Sequence, residues 1–330
     1  MNVYRLLGIF AVLVGLYAML LSADPTASNK GNLYDVANRQ GFNGILTLGA
    51  ALLILSGGID LSMGSVVGFG AVLFAYLMKE GVHPYASVAA VVAAGALIGL
   101  ANGLLVTKLK LQAFLVTLCG MFIYRGLARS LGSEVGNSIG LTGVRDKQPE
   151  FASAIENLRA VFIGKNSEGA IAFPAEFCWM LGLVALIGFF LHFTAYGRFW
   201  YAIGRNELAA KFAGVRVDRQ RIVGYVICSM LSMFAGVLLL LNYSTLRSDN
   251  AGQGDELEAI TGAVLGGCSM RGGEGTALGI VMGAMVMPLL KNIINFYGIK
   301  SDVIPAIIGL TLLFGTLVDE GIRRWFRKGR

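Results

Sequence analysis

Six polar side chains fall inside or at the edge of long apolar stretches, where a hydrogen-bonding group is a candidate for contact with a solute. They are Asp60, Asn102, Tyr124, Glu258, Asn292 and Asn295. Neutral amides suit hydroxyl-rich molecules, because they donate and accept hydrogen bonds without adding charge. Asn292 and Asn295 could present their amides to a solute in this way.

Two of the six side chains have a structural explanation beside the functional one. Asp60 follows Gly57-Gly58 and could cap the start of the next helix, which we favour, or face a solute pathway. Asn102 could hydrogen-bond between two helices, which we also favour, or line the same pathway.

Two further candidates lie near predicted helix ends. Glu258 follows Asp255 and Glu256, so it either attracts a partner at the outer mouth of a helix or belongs to an ordinary solvated acidic cluster. Tyr124 and its neighbour Arg125 close another apolar stretch on the outer side, where we expect both to anchor the helix at the interface.

Motifs for enzymatic chemistry are missing from the sequence. There is no nucleotide-binding G-x-x-x-x-G-K-[ST] loop and no metal-binding H-E-x-x-H, and His83 and His192 lie at opposite predicted membrane faces. The four cysteines occur in separate apolar stretches and are expected to be packing residues. We therefore expect no catalytic residue, no metal and no cofactor, and any energy must come from a partner or an ion gradient.

A basic segment at residues 195–220 carries the clearest local pattern. Residues 206–214 read as a short amphipathic helix, with Asn206 as its cap, Glu207 at the positive end of its dipole and Gly214 ending it. Two helical turns are marginal in water, so this helix must dock on something. The alternatives are lipid headgroups or a groove on a cytoplasmic partner; the residues implicated in docking are Arg205, Asn206, Glu207, Ala210, Lys211 and Gly214.

The composition places these residues in an integral membrane protein. The chain has 330 residues, of which 55% are hydrophobic and only 14% charged, with a mean hydropathy of +0.68. About a quarter of the residues in a soluble chain are charged. Because the apolar excess runs from end to end, we expect one all-α transmembrane domain over residues 1–330 and exclude a disordered, coiled-coil or nucleic-acid-binding protein.

Apolar runs between polar breaks predict about ten transmembrane helices. Their ranges are 4–22, 42–57, 62–78, 85–107, 112–131, 173–194, 221–242, 257–270, 274–297 and 302–319. The second ends in a double glycine and the eighth contains another, so we expect incomplete crossings at both. Residues 133–172 form a polar external loop in this scheme, and residues 195–220 a cytoplasmic one.

Lysine and arginine set the orientation. With a cytoplasmic amino terminus, the inner segments hold more than half of the 27 Lys and Arg residues but less than a third of the 20 Asp and Glu residues. Both termini then lie in the cytoplasm. Residues 1–23 also resemble a signal peptide, but we expect an uncleaved first span because the apolar run is long and the basic start is weak.

Glycines recur every fourth residue in two predicted spans that are five crossings apart. These glycines are Gly95, Gly99 and Gly103 in the fourth span and Gly275, Gly279 and Gly283 in the ninth. Such stripes let two helix backbones approach closely. Their offset predicts two halves of inverted topology, as in many transporters; the alternative is that glycine is simply common in membrane helices.

Four stretches resemble the permeases of one family of ATP-driven importers. They are LSGGIDLSMGSVVGF (55–69), ANGLLVTKLKLQAFLVTLCGMFIYRGLA (101–128), YAIGRNELAAKFAGVRVDR (201–219) and DELEAITGAVLGGCSMRGGEGTALGIVMGA (255–284). The family is the ribose, xylose and galactoside ABC sugar importers. The third stretch, in the predicted cytoplasmic loop, departs from the longer Glu-Ala-Ala consensus of other ABC permeases. It has Asn-Glu-Leu-Ala-Ala at 206–210 and lacks the Ile-x-Leu-Pro ending.

The resemblance implies a bacterial inner-membrane permease with a fold similar to that of the vitamin-B12-type (type II) importers. It also implies a cytoplasmic ABC ATPase, a periplasmic sugar-binding protein and a second permease subunit, identical or paralogous, around a path for a monosaccharide. Two rival functions stay open: a branched-chain amino-acid permease of the same class and an ion-coupled secondary transporter. The sequence identifies neither the sugar nor the role of residues 133–172.

Overall fold

A computed structural model of the chain describes residues 3–23, 25–135, 138–165 and 170–328. Over these ranges the protein is helical, apart from one small pair of strands. The α-helices are α1 (Val3–Ala23), α2 (Lys30–Leu55), α3 (Met63–Lys79), α4 (Pro84–Thr107), α5 (Ala113–Val135), α6 (Leu141–Lys147), α7 (Ala152–Phe162), α8 (Ala175–Phe193), α9 (Ala195–Arg205), α10 (Glu207–Phe212), α11 (Val217–Tyr243), α12 (Asp255–Leu265), α13 (Ala277–Phe296) and α14 (Ile304–Lys328).

The two strands are three residues long and lie at one end of the bundle. β1 (Ser138–Gly140) and β2 (Thr245–Arg247) pair antiparallel, with Gly140 opposite Thr245. We call this end the hairpin face and the opposite end, where α10 lies, the α10 face. Three 3-10 turns complete the described elements, at Pro25–Ser28, Pro149–Phe151 and Ser301–Val303.

Within the part of the chain that the structure describes, five helices are long and apolar enough to cross a membrane. They are α4, residues Ala113–Ser133 of α5, α8, α11 and α13. Shorter apolar segments are Leu6–Ser22, Met63–Lys79 and Ile304–Leu317. The prediction of an all-helical, multi-pass membrane protein is thus confirmed, while the number of crossings stays a prediction.

The centre of the bundle is α11, which packs against α4, α3 and α2. Its contact with α4 runs along the predicted glycine stripe. A Cβ on Gly99 would lie 2.4 Å from the Tyr225 carbonyl oxygen, and Gly95 and Gly103 meet the α11 backbone in the same way. The stripe lets the two backbones touch, as the sequence predicts.

The second glycine stripe differs from its prediction. Gly275 precedes α13, which begins at Ala277, and its carbonyl oxygen accepts a hydrogen bond of 3.0 Å from the Tyr201 hydroxyl. Only Gly279 and Gly283 lie on the helix, and both pack against the backbone of the short α12. The two stripes therefore have partners of different kinds, and the inverted repeat stays a prediction.

Both predicted interruptions are present. α2 ends at Leu55 and is followed by Gly57 with a φ of +76°, while α12 ends at Leu265 and is followed by Gly267 with a φ of +85°. The 11 residues of α12 rise about 17 Å, roughly half of a hydrocarbon core. Both helices thus end at the predicted double glycines, while the expectation of incomplete crossings there stays a prediction.

α2 begins 12 residues before its predicted start at residue 42. Its first half is polar, so hydropathy alone does not identify it as part of a span. The polar side chains are bonded within the protein: the Asn38 amide donates to the Ile163 carbonyl (2.8 Å) and accepts from the Glu176 backbone N–H (3.2 Å), and Arg39 pairs with Asp35 (2.8 Å).

The predicted external loop, residues 133–172, is not simply irregular. It holds β1, α6 and α7, and Ile155 and Leu158 of α7 are buried in the core. Residues 136–137 and 166–169 of this segment lie outside the described residues, as do both chain ends.

The glycine stripe on α4 leads to a stability prediction. Gly99→Leu should overpack the α4–α11 contact and destabilise the fold by about 3 kcal/mol or more, because the nearest obstacle is backbone. Gly182→Leu on α8 is the matched control, since nothing lies within 4 Å of a Cβ there. The thermal unfolding midpoint in detergent measures both, and equal midpoints would contradict the packing argument.

Candidate functional site

The α10 face is built on α9, which is held firmly in the bundle. The Thr194 hydroxyl caps α9 by accepting from the Gly197 backbone N–H at 3.3 Å, and Trp200 and Ile203 are buried. At its end Gly204 meets backbone directly, because a Cβ there would lie 2.0 Å from the Leu55 carbonyl oxygen. α9 therefore fixes the point from which α10 projects.

α10 has the local structure that the sequence predicts for residues 206–214. The Asn206 side chain caps it by accepting from the Ala209 backbone N–H at 3.0 Å. Gly214 follows with a φ of +83°, and the Val215 N–H returns to the Ala210 carbonyl at 3.0 Å. A side chain at position 214 would strain this turn.

The outer side of α10 is apolar and uncovered. Phe212 is 90% exposed and Leu208 is 68% exposed, whereas Ala210 faces inward and is buried. Arg205, Glu207 and Lys211 surround them and are also exposed. An exposed phenylalanine and leucine with a charged rim are typical of a docking surface, and the docking role of this segment stays a prediction.

Two ion pairs connect this face to the start of α11. Glu207 of α10 accepts a 2.7 Å hydrogen bond from Arg221, and Lys108 after α4 lies 3.3 Å from Asp218. The second pair is open to solvent, with side chains 61% and 54% exposed. A cavity of about 300 Å³ lies beside Glu207 and Lys211 and reaches Gly57 and Tyr225.

Asp60 lies in the turn between α2 and α3, where its side chain is buried. Its Oδ1 accepts from the Ser62 backbone N–H (2.7 Å) and from the Ser62 hydroxyl (2.5 Å). The Asn102 amide of α4 reaches the same Ser62 hydroxyl at 3.5 Å. Asp60 thus bonds within the turn to Ser62, the N-cap residue of α3, and does not itself cap the helix, while Asn102 joins α4 to this turn. Whether either side chain faces a solute stays a prediction.

The remaining pathway candidates are not gathered in one site. Tyr124 is half-buried on α5 and stacks on Phe69 with ring centroids 6.5 Å apart. Asn292 is buried on α13 and exchanges hydrogen bonds of 3.0 and 3.4 Å with Asn32, so its amide is already engaged. Asn295 is exposed on another side of the same helix.

The position of Glu258 differs from both sequence-based interpretations. It lies neither in a solvated acidic cluster nor at the exposed outer end of a helix. It is buried, forms an ion pair with Lys291 of α13, and accepts a 3.1 Å hydrogen bond from Asn43 of α2. The physical reason is that α12 starts inside the bundle, between α2 and α13, and not above it.

The pocket beside Glu258 contains charged residues that the sequence analysis did not identify. Its volume is about 110 Å³, and Glu176, Arg39 and Lys291 are among its lining residues. Glu176 is fully buried in the first turn of α8 and accepts from the Asn242 amide at 3.5 Å. A glutamate at the start of a predicted span could have indicated this site, but it resembles an ordinary interfacial charge.

Lys165 lies next to the pocket around Glu176, on the side of the hairpin face, because both residues contact Asn242. Its ammonium group donates to the Asn242 carbonyl oxygen, and burial lowers the pKa of Lys165 below its ordinary value. Further out, hydrogen bonds from Arg247 lower the pKa of Asp249. Among the described residues, no cluster of His, Cys, Asp and Glu could hold a metal ion.

Comparison with known proteins adds a family. The family described as "Branched-chain amino acid transport system / permease component" matches residues 32–316. The ribose import permease protein of Escherichia coli (strain K12) is 32% identical to the chain, over 94% of the chain and 92% of the relative. That of Bacillus subtilis (strain 168) is also 32% identical, over 97% of the chain and 94% of the relative. The fructose import permease protein of Bifidobacterium longum is 29% identical over 84% of the chain and 79% of the relative. No solved structure matches the chain.

The Glu258–Lys291 pair leads to a second stability prediction. Lys291→Met should cost about 3 kcal/mol, because it leaves the Glu258 carboxylate buried without its countercharge. Lys108→Met breaks a solvent-exposed ion pair and serves as the control, with an expected loss of about 0–1 kcal/mol. Thermal unfolding in detergent compares the two; a Lys291→Met protein as stable as Lys108→Met would rule out the pair as a structural element.

Proposed function

The chain belongs to the family of branched-chain amino acid transport system / permease components, and from this premise we propose that it is the membrane-spanning subunit of an ATP-driven ABC sugar importer. The sugar assignment is supported by relatives named as ribose import permeases, which align with nearly the whole chain. As such a subunit it lies in the bacterial inner membrane, crosses it several times and hydrolyses no ATP itself.

The observation that carries the coupling mechanism is the exposed apolar side of α10. Phe212 and Leu208 project from a six-residue helix that is too short to be stable alone. We propose that they insert into a groove on a cytoplasmic ABC ATPase, with Arg205, Asn206, Glu207, Ala210, Lys211 and Gly214 shaping and supporting the contact. The α10 face is then cytoplasmic, as are both chain ends, in agreement with the distribution of lysine and arginine.

The proposed importer has further subunits. A periplasmic sugar-binding protein would deliver a monosaccharide to the hairpin face, and a second permease, identical or paralogous, would complete the path within surrounding lipid. We propose about ten crossings in two inverted halves, with the fold of the vitamin-B12-type importers. The ends of α2 and α12, each followed by a glycine with a positive φ, support a design based on interrupted helices.

Transport in this scheme is mechanical. Closure of the ATPase on nucleotide would move α10, and the permease pair would rock between outward-open and inward-open states of similar free energy. Asp60, Asn102 and Tyr124 lie nearest the α10 half of the path, and Glu258, Asn292 and Asn295 nearest the hairpin half. Since most of these groups already bond within the protein, the path need bind its sugar only weakly.

One rival function keeps a specific observation in its favour. The family description names branched-chain amino acids, and that permease class could share the α10 arrangement. Uptake assays with radiolabelled ribose, fructose and leucine separate the two, once the chain is expressed with its ATPase and binding protein. We expect uptake of a sugar and none of leucine.

The coupling role of α10 is tested by Phe212→Asp and Gly214→Trp. The first places a charge in an apolar contact, and the second strains a turn with a φ of +83°. Each should lower uptake and co-purification of the ATPase by at least about tenfold, while membrane insertion is unchanged. Gly298→Trp, at a glycine with a φ of +64° on the other end of the bundle, should leave ATPase co-purification intact.

Energy dependence provides the second test of the function. Uptake should persist when a protonophore and a sodium ionophore collapse the ion gradients, and it should stop when ATP is depleted. The opposite result would establish a secondary transporter, and normal ATPase binding by both α10 variants would overturn the docking role of this helix.

A further inference from the structure

Two side chains on one face of α11 touch α10 at one end and the turn between α2 and α3 at the other. They are Arg221 and Tyr225, which are four residues apart and therefore adjacent on the helix surface. Arg221 is 22% exposed in its side chain, and Tyr225 is fully buried. The pair leads from the aqueous α10 face into the bundle.

On the α10 side the connection is a charge-assisted hydrogen bond. Arg221 donates a hydrogen bond of 2.7 Å to the carboxylate of Glu207, which lies in the first turn of α10. Such bonds are shorter and stronger than neutral ones. The guanidinium also lies beside the turn, because a Cβ on Gly57 would be 3.9 Å from its Nη2.

On the inner side the connection is a hydrogen bond to backbone. The Tyr225 hydroxyl donates to the Ile59 carbonyl oxygen at 3.2 Å. The next residue, Asp60, holds Ser62 at the start of α3, and Ser62 in turn contacts Asn102 of α4. A displacement of this turn therefore acts on two helices at once.

A cavity lies beside α10. The cavity of about 300 Å³ beside it is lined by Glu207, Lys211, Arg221 and Tyr225 on one side and by Gly57 and Gly58 of the turn on the other. α9, in contrast, is locked by backbone contact at Gly204. Motion of α10 relative to α9 would change the cavity and pull first on the Glu207–Arg221 bond.

We propose that Arg221 and Tyr225 are positioning residues that transmit the displacement of α10 to the turn at residues 56–62. This inference rests on the proposed function, since it requires a partner that moves α10. It adds the route by which that motion enters the membrane domain. The motion passes from Glu207 to Arg221 and along one turn of α11 to Tyr225. From Tyr225 it passes through Ile59 to Ser62 at the start of α3, which Asn102 of α4 also contacts. The Lys108–Asp218 pair lies on the same face but ends at the surface, so it has no such role.

The experiment uses the full importer, with the ATPase and binding protein co-expressed. Tyr225→Phe removes only the hydroxyl that reaches Ile59, and Glu207→Arg or Arg221→Glu breaks the ion pair. We expect Tyr225→Phe and Arg221→Glu to co-purify with the ATPase and to retain its basal ATP hydrolysis, but to lose about tenfold in uptake per ATP hydrolysed. Glu207→Arg changes the docking surface itself, so it serves only in the charge exchange below. A purely structural defect would lower both quantities together.

The charge exchange separates a specific bond from general damage. The double variant Glu207→Arg with Arg221→Glu rebuilds the ion pair in reverse and should recover at least a third of wild-type uptake. Asp218→Asn, which breaks the exposed pair on the same turn of α11, is the matched control and should stay within about twofold of wild type.

Two results would overturn the route, and they differ from those that would overturn the function. If Tyr225→Phe transports with wild-type coupling, or if the double exchange is no better than either single variant, Arg221 and Tyr225 do not transmit the motion. Phe212→Asp would still abolish ATPase binding in that case, and the docking role of α10 would stand. If Phe212→Asp also binds the ATPase normally, the proposed function falls together with the route.

Discussion

The hydrocarbon core offers no water, so every backbone group freed by an interrupted helix must bond to protein. This constraint explains why the two interruptions lie together. The Leu55 carbonyl, left open where α2 ends, accepts from the Gly273 N–H at 2.9 Å, and Gly204 of α9 lies against the same carbonyl. Gly204 and Gly273 allow backbone to meet backbone at this point. The connection after α12 and the base of α10 are thus joined to the end of α2.

The same constraint governs charge. Glu258 and Lys291 form an ion pair inside the bundle, because an isolated charge is costly to bury. This pair and the Asn43–Glu258 hydrogen bond connect α2, α12 and α13 near the hairpin face, and the Glu207–Arg221 pair connects α10 to α11 at the α10 face. Ion pairs therefore join helices at both ends of the bundle.

Features that depend on local sequence were predictable. The cap at Asn206, the end of α10 at Gly214, the stripe on α4 and both interruptions follow from residue type and spacing, and all are present. Features that depend on tertiary contacts were not. The polar first half of α2 is helical because Asn38 and its neighbours bond to α8 and to the segment after α7, and Glu258 is buried because α12 begins inside the bundle. Neither arrangement leaves a periodic signal in one sequence.

In the sequence Arg221 is one of several basic residues on the predicted cytoplasmic side, yet its position on α11 gives it a more specific use. A basic residue at the cytoplasmic end of a membrane helix is satisfied by lipid headgroups or water. Here it bonds instead to a short, otherwise exposed helix, and one turn further into the bilayer a tyrosine bonds to an interrupted backbone. A six-residue helix cannot by itself impose a conformation on a bundle of this size. It can do so only through a longer element to which it is bonded, and α11, which packs along α4, α3 and α2, is such an element.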